Sequence, residues 1–108
     1  MREFLNDFEE MVLTLVATLG DDAYGAAINI EIEKHLERKV TLSALHVTLY
    51  KLEDKGYVKS RIGGATSERG GRSKRIYTIT NTGLATLKAM KEKRMEIWKL
   101  IPQLKFNG

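Results

Sequence analysis

The residues best suited to bind a charged partner lie between positions 68 and 75, where the sequence reads ERGGRSKR. Four cations surround a Gly–Gly pair, and a β-branched and aromatic run, 76–80, follows at once. Glycine lets the backbone turn tightly, so the pattern is typical of a β-hairpin tip, although an ordinary solvated turn is the alternative. Because arginine binds phosphate through paired hydrogen bonds, such a tip suits a polyanion.

The net charge of +4 conceals an uneven distribution along the 108 residues. Residues 1–37 hold two Lys/Arg against nine acids, a net of −7. Residues 38–80 hold ten Lys/Arg against three acids, a net of +7, and residues 81–108 hold six against two. This asymmetry within a chain of one-domain length favours a polyanionic partner that binds the middle of the sequence.

The composition also argues against several classes of protein. No apolar run reaches the ~18 residues that span a bilayer, and the acids within 1–7 are unlike the basic start of a signal peptide. We therefore expect a soluble, cytoplasmic protein. The chain has no cysteine, and its two histidines lie far apart, so no metal site is expected. The sequence shows no nucleophile next to a base, no paired carboxylates and no P-loop glycines. Neither an enzyme nor a cofactor is therefore predicted.

The first two helices are predicted from apolar spacing. The first carries an apolar stripe at intervals of three and four residues: Phe4, Phe8, Met11, Leu15 and Leu19. The second is predicted from 23 to 36, with Asp21 or Asp22 as its N-cap. Within it, 28–33 alternates as a strand would, but the length and the Ala, Glu and Lys content favour a helix.

A third helix is predicted to begin after Thr41, a good N-cap, and to end at Lys55 and Gly56. Its buried face would be formed by Leu45, Leu49 and Leu52. Its outer face would carry mostly small or hydrogen-bonding side chains: Ser43, His46, Val47, Tyr50, Lys51 and Asp54.

Two predicted strands, 57–62 and 74–80, flank a loop at 63–71 that contains the first half of the basic segment. The side chains expected to face inward are Val58, Tyr77 and Ile79. Because neighbouring strand residues point to opposite faces, Lys59 and Arg61 would point outward beside the loop cations.

The last helix is predicted to follow a cap at 80–83 and to fray at Pro102. A seam at intervals of three and four residues, with one charged member, runs along it: Leu87, Met90, Arg94, Ile97, Ile101 and Leu104. This seam is too apolar to leave in water, so we expect it to form a dimer interface. The alternative is that the first helix of the same chain covers it.

Three helices, a basic two-stranded ribbon and a last helix predict an α+β, mainly α fold. It is a winged helix-turn-helix at 1–80, including the N-terminal helix, with an additional C-terminal dimerisation helix at 81–108. In this architecture the third helix enters the DNA major groove, and the wing lies along the backbone or in the minor groove. The residues expected to bind DNA are Ser43, Ala44, His46, Val47, Tyr50, Lys51, Lys59, Arg61, Arg69, Arg72, Lys74 and Arg75.

Several motifs, in this order and at these separations, resemble the PadR family of transcriptional regulators over roughly residues 5–87. They are Asp22-Ala23-Tyr24-Gly25 with Ile28, Val40-Thr41-Leu42-Ser43-Ala44-Leu45, Leu49 with Leu52-Glu53-Asp54-Lys55-Gly56, and Glu68-Arg69-Gly70-Gly71-Arg72 with Lys74, Arg75, Tyr77, Thr80 and Gly83. The short length is similar to that of the family's small subgroup, which has a single C-terminal helix.

The resemblance implies a homodimer that represses transcription, with its first and last helices at the dimer interface. It also implies a bacterial or archaeal protein associated with the nucleoid. Two copies related by a two-fold axis would bind an inverted repeat in double-stranded DNA. Ser43 stands where the family usually has glycine, and His46 where it usually has tyrosine. We expect His46 to donate to a phosphate or a base, or Tyr50, one turn on, to take the role of that tyrosine.

Trp98, the only tryptophan, lies beside the predicted seam. PadR-like relatives bind planar, often aromatic effectors, so the resemblance implies a ligand stacked between the two Trp98 rings, with Met95, Phe4 and Phe8 nearby. The alternative is that Trp98 is a large side chain in an interface or a core.

A winged-helix module that binds proteins is the main rival prediction. Its basic wing would meet an acidic partner, and its third helix should present apolar anchors. Here that helix presents Ser43, His46 and Lys51, with Val47 as an apolar member, so DNA binding is favoured.

Overall fold

The computed structural model describes residues 5–63 and 74–102. The elements, in chain order, are α1 (Asp7–Leu19), a 3-10 turn (Gly20–Asp22), α2 (Gly25–Leu36), α3 (Leu42–Asp54), β1 (Val58–Gly63), β2 (Lys74–Ile79) and α4 (Asn81–Trp98). The predicted mainly helical winged helix-turn-helix is confirmed. Four predicted site residues lie outside the described residues: Phe4, Arg69, Arg72 and Leu104.

Local hydrogen bonds define where three of the helices begin. Asn6 Oδ1 accepts from the Glu9 amide at 2.8 Å, and Glu9 Oε1 accepts from the Asn6 amide at 2.9 Å, which makes a capping box for α1. Thr41 and Thr80 cap α3 and α4 by accepting from the amide three residues later, at 3.1 and 3.0 Å. The predicted Thr41 cap is confirmed, whereas the Asn6 box was not predicted.

The start of α2 differs from the prediction. The helix itself is confirmed, but Tyr24 occupies its N-cap position and makes no side-chain capping bond. Asp21 and Asp22, the predicted caps, belong to the preceding 3-10 turn. The helix therefore begins later than its local capping signal indicates.

Pairing with β2 explains this displacement. The Ala23 carbonyl accepts from the Tyr77 amide at 2.8 Å, and Tyr24 forms an isolated antiparallel bridge with Ile76. Tyr24 is extended because it is bound to the ribbon. Tertiary pairing thus competes with the local N-cap and prevails.

The core lies between α1 and the elements that surround it. On α3, Leu45, Leu49 and Leu52 are completely buried, as predicted. On α1, the most deeply buried residues are Val12, Leu13 and Val16. Of the predicted α1 stripe, Phe8, Met11 and Leu19 are only partly buried. Because α2, α3, β2 and α4 all pack on α1, its buried face is broader than one stripe.

The two strands pair in antiparallel register, with Val58 opposite Ile79 and Gly63 opposite Lys74. Directly opposed residues share a face of the sheet. One face carries Val58, Ser60, Ile62, Arg75, Tyr77 and Ile79, and the other carries Lys59, Arg61, Gly63, Lys74, Ile76 and Thr78. Val58 and Tyr77 are buried as predicted, and Ile79 is partly buried. Ile76 is also buried, since Tyr24 pairs with it.

Helix α4 packs apolar side chains on the domain as far as Met90. Leu87 and Met90 belong to the core, and a Cβ built on Gly83 would overlap the Tyr57 carbonyl oxygen. From residue 91 to residue 102 every side chain is exposed. In the parts of the chain that the structure describes, no helix is long and apolar enough to cross a membrane.

Candidate nucleic-acid interface

The outer face of α3 is exposed along its length. The residues predicted to bind DNA from this helix are all exposed: Ser43, Ala44, His46, Val47, Tyr50 and Lys51. Tyr50 is 72% exposed and Val47 is 54% exposed. Because Leu45, Leu49 and Leu52 anchor the opposite face in the core, the helix presents these side chains to solvent at fixed positions.

A groove of about 700 Å³ runs between this face and the ribbon. Its lining residues are His46, Val47, Tyr50, Lys51 and Glu53 of α3 and Arg75 and Tyr77 of β2. The fold therefore joins the exposed face of α3 to one cation of the ribbon, although Arg75 lies in the second strand and is 21 residues beyond the end of that helix.

Arg75 is tied to α3 through a serine of the neighbouring strand. The Arg75 guanidinium donates from Nη1 to Ser60 Oγ at 2.9 Å, and Ser60 Oγ donates to Glu53 Oε2 at 2.8 Å. Burial raises the pKa of Tyr77, Arg75 acts in the opposite direction, and Glu53 raises the pKa further. Tyr77 is therefore a neutral phenol in the groove near neutral pH.

The remaining described cations of the ribbon lie on its other face. Arg61 Nη2 is 3.8 Å from Asp21 Oδ1, and Lys74 Nζ lies 4.1 Å from the centre of the Tyr24 ring. Lys59 is exposed on the same face. The predicted contact set is thus divided, because only Arg75 among the described ribbon cations shares the groove with α3.

Three residues at this surface were not predicted to matter there: Gly25, Glu53 and Ser60. A Cβ on Gly25 would lie 3.1 Å from His46 Cε1, so the first turn of α2 packs closely against the His46 ring. Gly25 and Glu53 belong to the sequence motifs quoted above, which was a signal for both residues. Ser60 carried no signal, since only the strand register places it beside Arg75.

The predicted dimer seam is divided by the structure. Leu87 and Met90 pack on their own domain. Arg94, the charged member, forms a two-pronged ion pair with Glu10 of α1, at 2.7 and 3.1 Å. The Glu10 carboxylate raises the pKa of Arg94, through hydrogen bonding and charge. Ile97 and Ile101 remain exposed. The first helix thus covers the start of the seam and leaves its end open.

That open end forms a shallow groove of about 430 Å³, lined by Met90, Lys93, Arg94, Ile97, Trp98 and Ile101. Of the predicted effector residues, Trp98 lines this groove, whereas Phe8 lines a different pocket with Met11 and Leu36. Met95 is three residues before Trp98, so the two side chains are neighbours on the surface of α4. A single chain thus places Met95 beside Trp98 but leaves Phe8 in a different pocket.

Solved structures share this fold. A transcriptional regulator from Clostridium thermocellum is 25% identical, with 91% of this chain and 89% of that chain covered and a TM-score of 0.67. RosR from H. salinarum is 27% identical, with coverage of 93% and 81% and a TM-score of 0.62. A PadR-like transcriptional regulator from Bacillus cereus is 19% identical, covers 91% and 93%, has a TM-score of 0.70, and supports the fold alone.

Sequence comparison gives the family directly. None of the curated proteins matches the chain significantly. The model of the Transcriptional regulator PadR-like family, however, matches residues 12–89, which is well over half of the chain. That span runs from the middle of α1 through the α3 face and the ribbon to the packed half of α4. The protein belongs to the PadR-like family of transcriptional regulators, and it is a DNA-binding regulator with a winged helix-turn-helix fold.

Proposed function

We propose that this protein binds an inverted-repeat operator as a homodimer and represses transcription by occupying it. The observation that carries this proposal is the groove that joins the exposed face of α3 to Arg75. DNA as the target implies action in the cytoplasm, on the chromosome. Residues 1–80 would form the DNA-binding unit, and residues 81–108 the dimerisation helix.

In the proposed complex α3 lies in the major groove. Ser43, Ala44, His46, Val47 and Tyr50 would contact base edges or flanking phosphates. Ribbon and helix cations would neutralise phosphates: Lys51, Lys59, Arg61, Arg69, Arg72, Lys74 and Arg75. Phosphate contacts fix orientation and base contacts carry sequence information. The α3 side chains are few and mostly short, so we expect modest base discrimination.

The proposed dimer uses the open end of α4. Ile97 and Ile101, beside Trp98, form an apolar surface whose exposure to water is unfavourable. A second copy supplies the same surface, as expected for a two-fold interface. The partner's α4 would cover Leu104 and the groove that begins at Met90, while Leu87 and Arg94 support the helix from its own domain.

We further propose that a planar ligand binds between the two Trp98 rings and releases DNA. Met95 would contribute from the same helix as Trp98, whereas Phe4 and Phe8 would contribute only if the partner chain brings them near Trp98. Quenching of tryptophan fluorescence by a panel of planar cations and phenols tests this, because Trp98 is the only tryptophan. If no member of the panel quenches the fluorescence, the effector proposal fails while the DNA proposal stands.

The decisive experiment selects bound duplexes from a random DNA pool with the purified protein at ~150 mM salt, which suppresses most non-specific binding. We expect an enriched inverted repeat with half-sites about one helical turn, ~34 Å, apart. With ~6–10 phosphates contacted per dimer, affinity for that repeat should fall ~10³–10⁵-fold between 50 and 200 mM salt.

No enrichment, together with binding at low salt only, would overturn the operator proposal. A basic surface without sequence readout would then favour the protein-binding alternative. An enriched single half-site would instead retain DNA recognition and exclude the proposed dimeric arrangement.

A further inference from the structure

The Ser60 hydroxyl stands between two charged side chains from different elements. It donates to Glu53 Oε2 at 2.8 Å and accepts from Arg75 Nη1 at 2.9 Å. An ionised carboxylate cannot donate and a guanidinium cannot accept, whereas a hydroxyl does both. Serine is therefore suited to link these two groups, and the direction of both hydrogen bonds is fixed.

These three residues connect α3 to the wing. Glu53 is near the C-terminal end of α3, Ser60 is in β1, and Arg75 is in β2. Glu53 and Ser60 are half-buried, while Arg75 is exposed. Both ends of the connection, Glu53 and Arg75, line the groove beside the outer face of α3. The wing cation is thus held by a group on the helix predicted to read DNA.

Holding Arg75 in this way leaves it able to bind a second partner. A guanidinium has five N–H donors, and only one nitrogen is used by Ser60. A long side chain that is already ordered loses less conformational freedom when it binds. The Glu53 carboxylate would repel a phosphate at this surface, and its contact with Ser60 next to Arg75 moderates that repulsion.

We propose that Ser60 and Glu53 are positioning residues, which hold Arg75 as a pre-ordered phosphate contact at a fixed distance from α3. This inference rests on the proposed DNA binding. Arg75 then sets the register of α3 on the operator, in contrast to Lys59 on the opposite face of the ribbon, which has no such link to α3. Ser60 acts only through Arg75 and does not itself contact DNA.

A double-mutant cycle tests the proposal. Ser60→Ala, Arg75→Ala and the double variant are titrated with the selected operator between 50 and 200 mM salt. Loss of one ordering hydrogen bond in each protomer should weaken binding about 2- to 12-fold per half-site in Ser60→Ala. The dependence of affinity on salt should stay at its wild-type value, because Arg75 still reaches the phosphate.

Arg75→Ala should instead lower the salt slope by about 2, since the proposed dimer loses one phosphate contact in each protomer. In the Arg75→Ala background, Ser60→Ala should have no further effect, because the two residues act as one unit. Ser60→Thr retains a hydroxyl on a residue that strands accept, so it should restore most of the affinity.

Urea unfolding of each variant separates positioning from folding, because a positioning residue changes affinity in a protein that remains folded. Additive losses in Ser60→Ala and Arg75→Ala, or a failure of Ser60→Thr to restore binding, would overturn the positioning role alone. A wild-type protein that selects no operator would overturn the proposed function and this inference with it.

Discussion

The outer face of α3 and the second half of α4 are both exposed helical surfaces, but they differ in chemistry. The α3 face presents hydrogen-bonding groups such as His46 and Tyr50, with Lys51 and Arg75 alongside. The α4 surface presents large apolar side chains: Ile97, Trp98 and Ile101, which are 57%, 62% and 42% exposed. The two surfaces therefore invite different partners.

This difference shows that exposure alone does not identify a binding surface. Polar groups on α3 are satisfied by water, so only a partner of matching polarity and charge gains by replacing that water. Burying the apolar α4 surface away from water is favourable in itself. We therefore expect changes on α4 to act first on assembly and changes on α3 to act first on DNA affinity.

The largest effect is expected from Ile97→Glu, which places a charge in the α4 groove. The variant should be monomeric by analytical ultracentrifugation, because a carboxylate cannot be buried there without a partner. Its affinity for an inverted repeat should fall by ~10²–10⁴, the advantage of two linked sites.

Leu84→Glu is the matched control, since Leu84 is also exposed on α4 but lies 13 residues, ~20 Å, before Ile97. It should remain dimeric. If Ile97→Glu remains dimeric, the exposed apolar end of α4 is not the dimer interface.

A second test disturbs the packing at the start of α4, which connects the domain that carries α3 to the exposed end of α4. In Gly83→Ala the new methyl group would overlap the Tyr57 carbonyl oxygen and lie 2.9 Å from Ile79 Cγ1. We expect a loss of ~1–3 kcal/mol in the free energy of unfolding, because backbone or core must shift. Thr82→Ala, an exposed change one residue earlier, should stay within ~0.5 kcal/mol of wild type in the same urea titration.

A smaller effect is expected on α3. His46→Ala removes a hydrogen-bonding ring from the groove, which should cost about 0.5–1.5 kcal/mol of DNA affinity while the dimer remains intact. His35→Ala changes the other histidine, which is exposed at the end of α2 and paired with Glu31, 3.3 Å away. Fluorescence anisotropy with the operator should show weaker DNA binding in His46→Ala than in His35→Ala. Equal losses of DNA affinity in the two variants would argue against a specific role for His46.

The smallest effect concerns alkaline pH. Burial raises the pKa of Tyr77 above its ordinary value of 10.0. The unfolded chain therefore releases this proton first, so the stabilisation is complete below pH 10 and is lost as the pH rises through the raised pKa. Tyr77→Phe should lose stability less steeply than wild type above pH 10 in urea titrations. Parallel pH profiles would contradict this assignment.

Features that depend on three or four neighbouring residues were predictable from sequence. The Thr41 cap and the buried leucines of α3 are examples, because capping and helical period act locally. The basic wing and the polar α3 face were also recognised. Their combination into a winged helix-turn-helix needed only the order of elements.

Features that depend on distant partners were not predictable. The α2 cap was misplaced because Tyr24 pairs with Ile76 of the ribbon. The charged member of the α4 seam has a partner, Glu10, that is 84 residues away in sequence. The link from Glu53 to Arg75 similarly requires the strand register, which a long loop leaves undetermined.

The ion pair between Arg94 and Glu10 has an evolutionary consequence. Among the described residues, it is the last hydrogen-bonded ion pair along α4 that ties the helix to its own domain, and the exposed apolar residues Ile97 and Trp98 follow one turn later. In the proposed dimer, substitutions beyond Arg94 would change the distance between the two α3 helices without altering α3 itself. The half-site spacing of the operator and its base sequence would then be determined by different helices. Related regulators could therefore differ in half-site spacing while recognising the same base sequence.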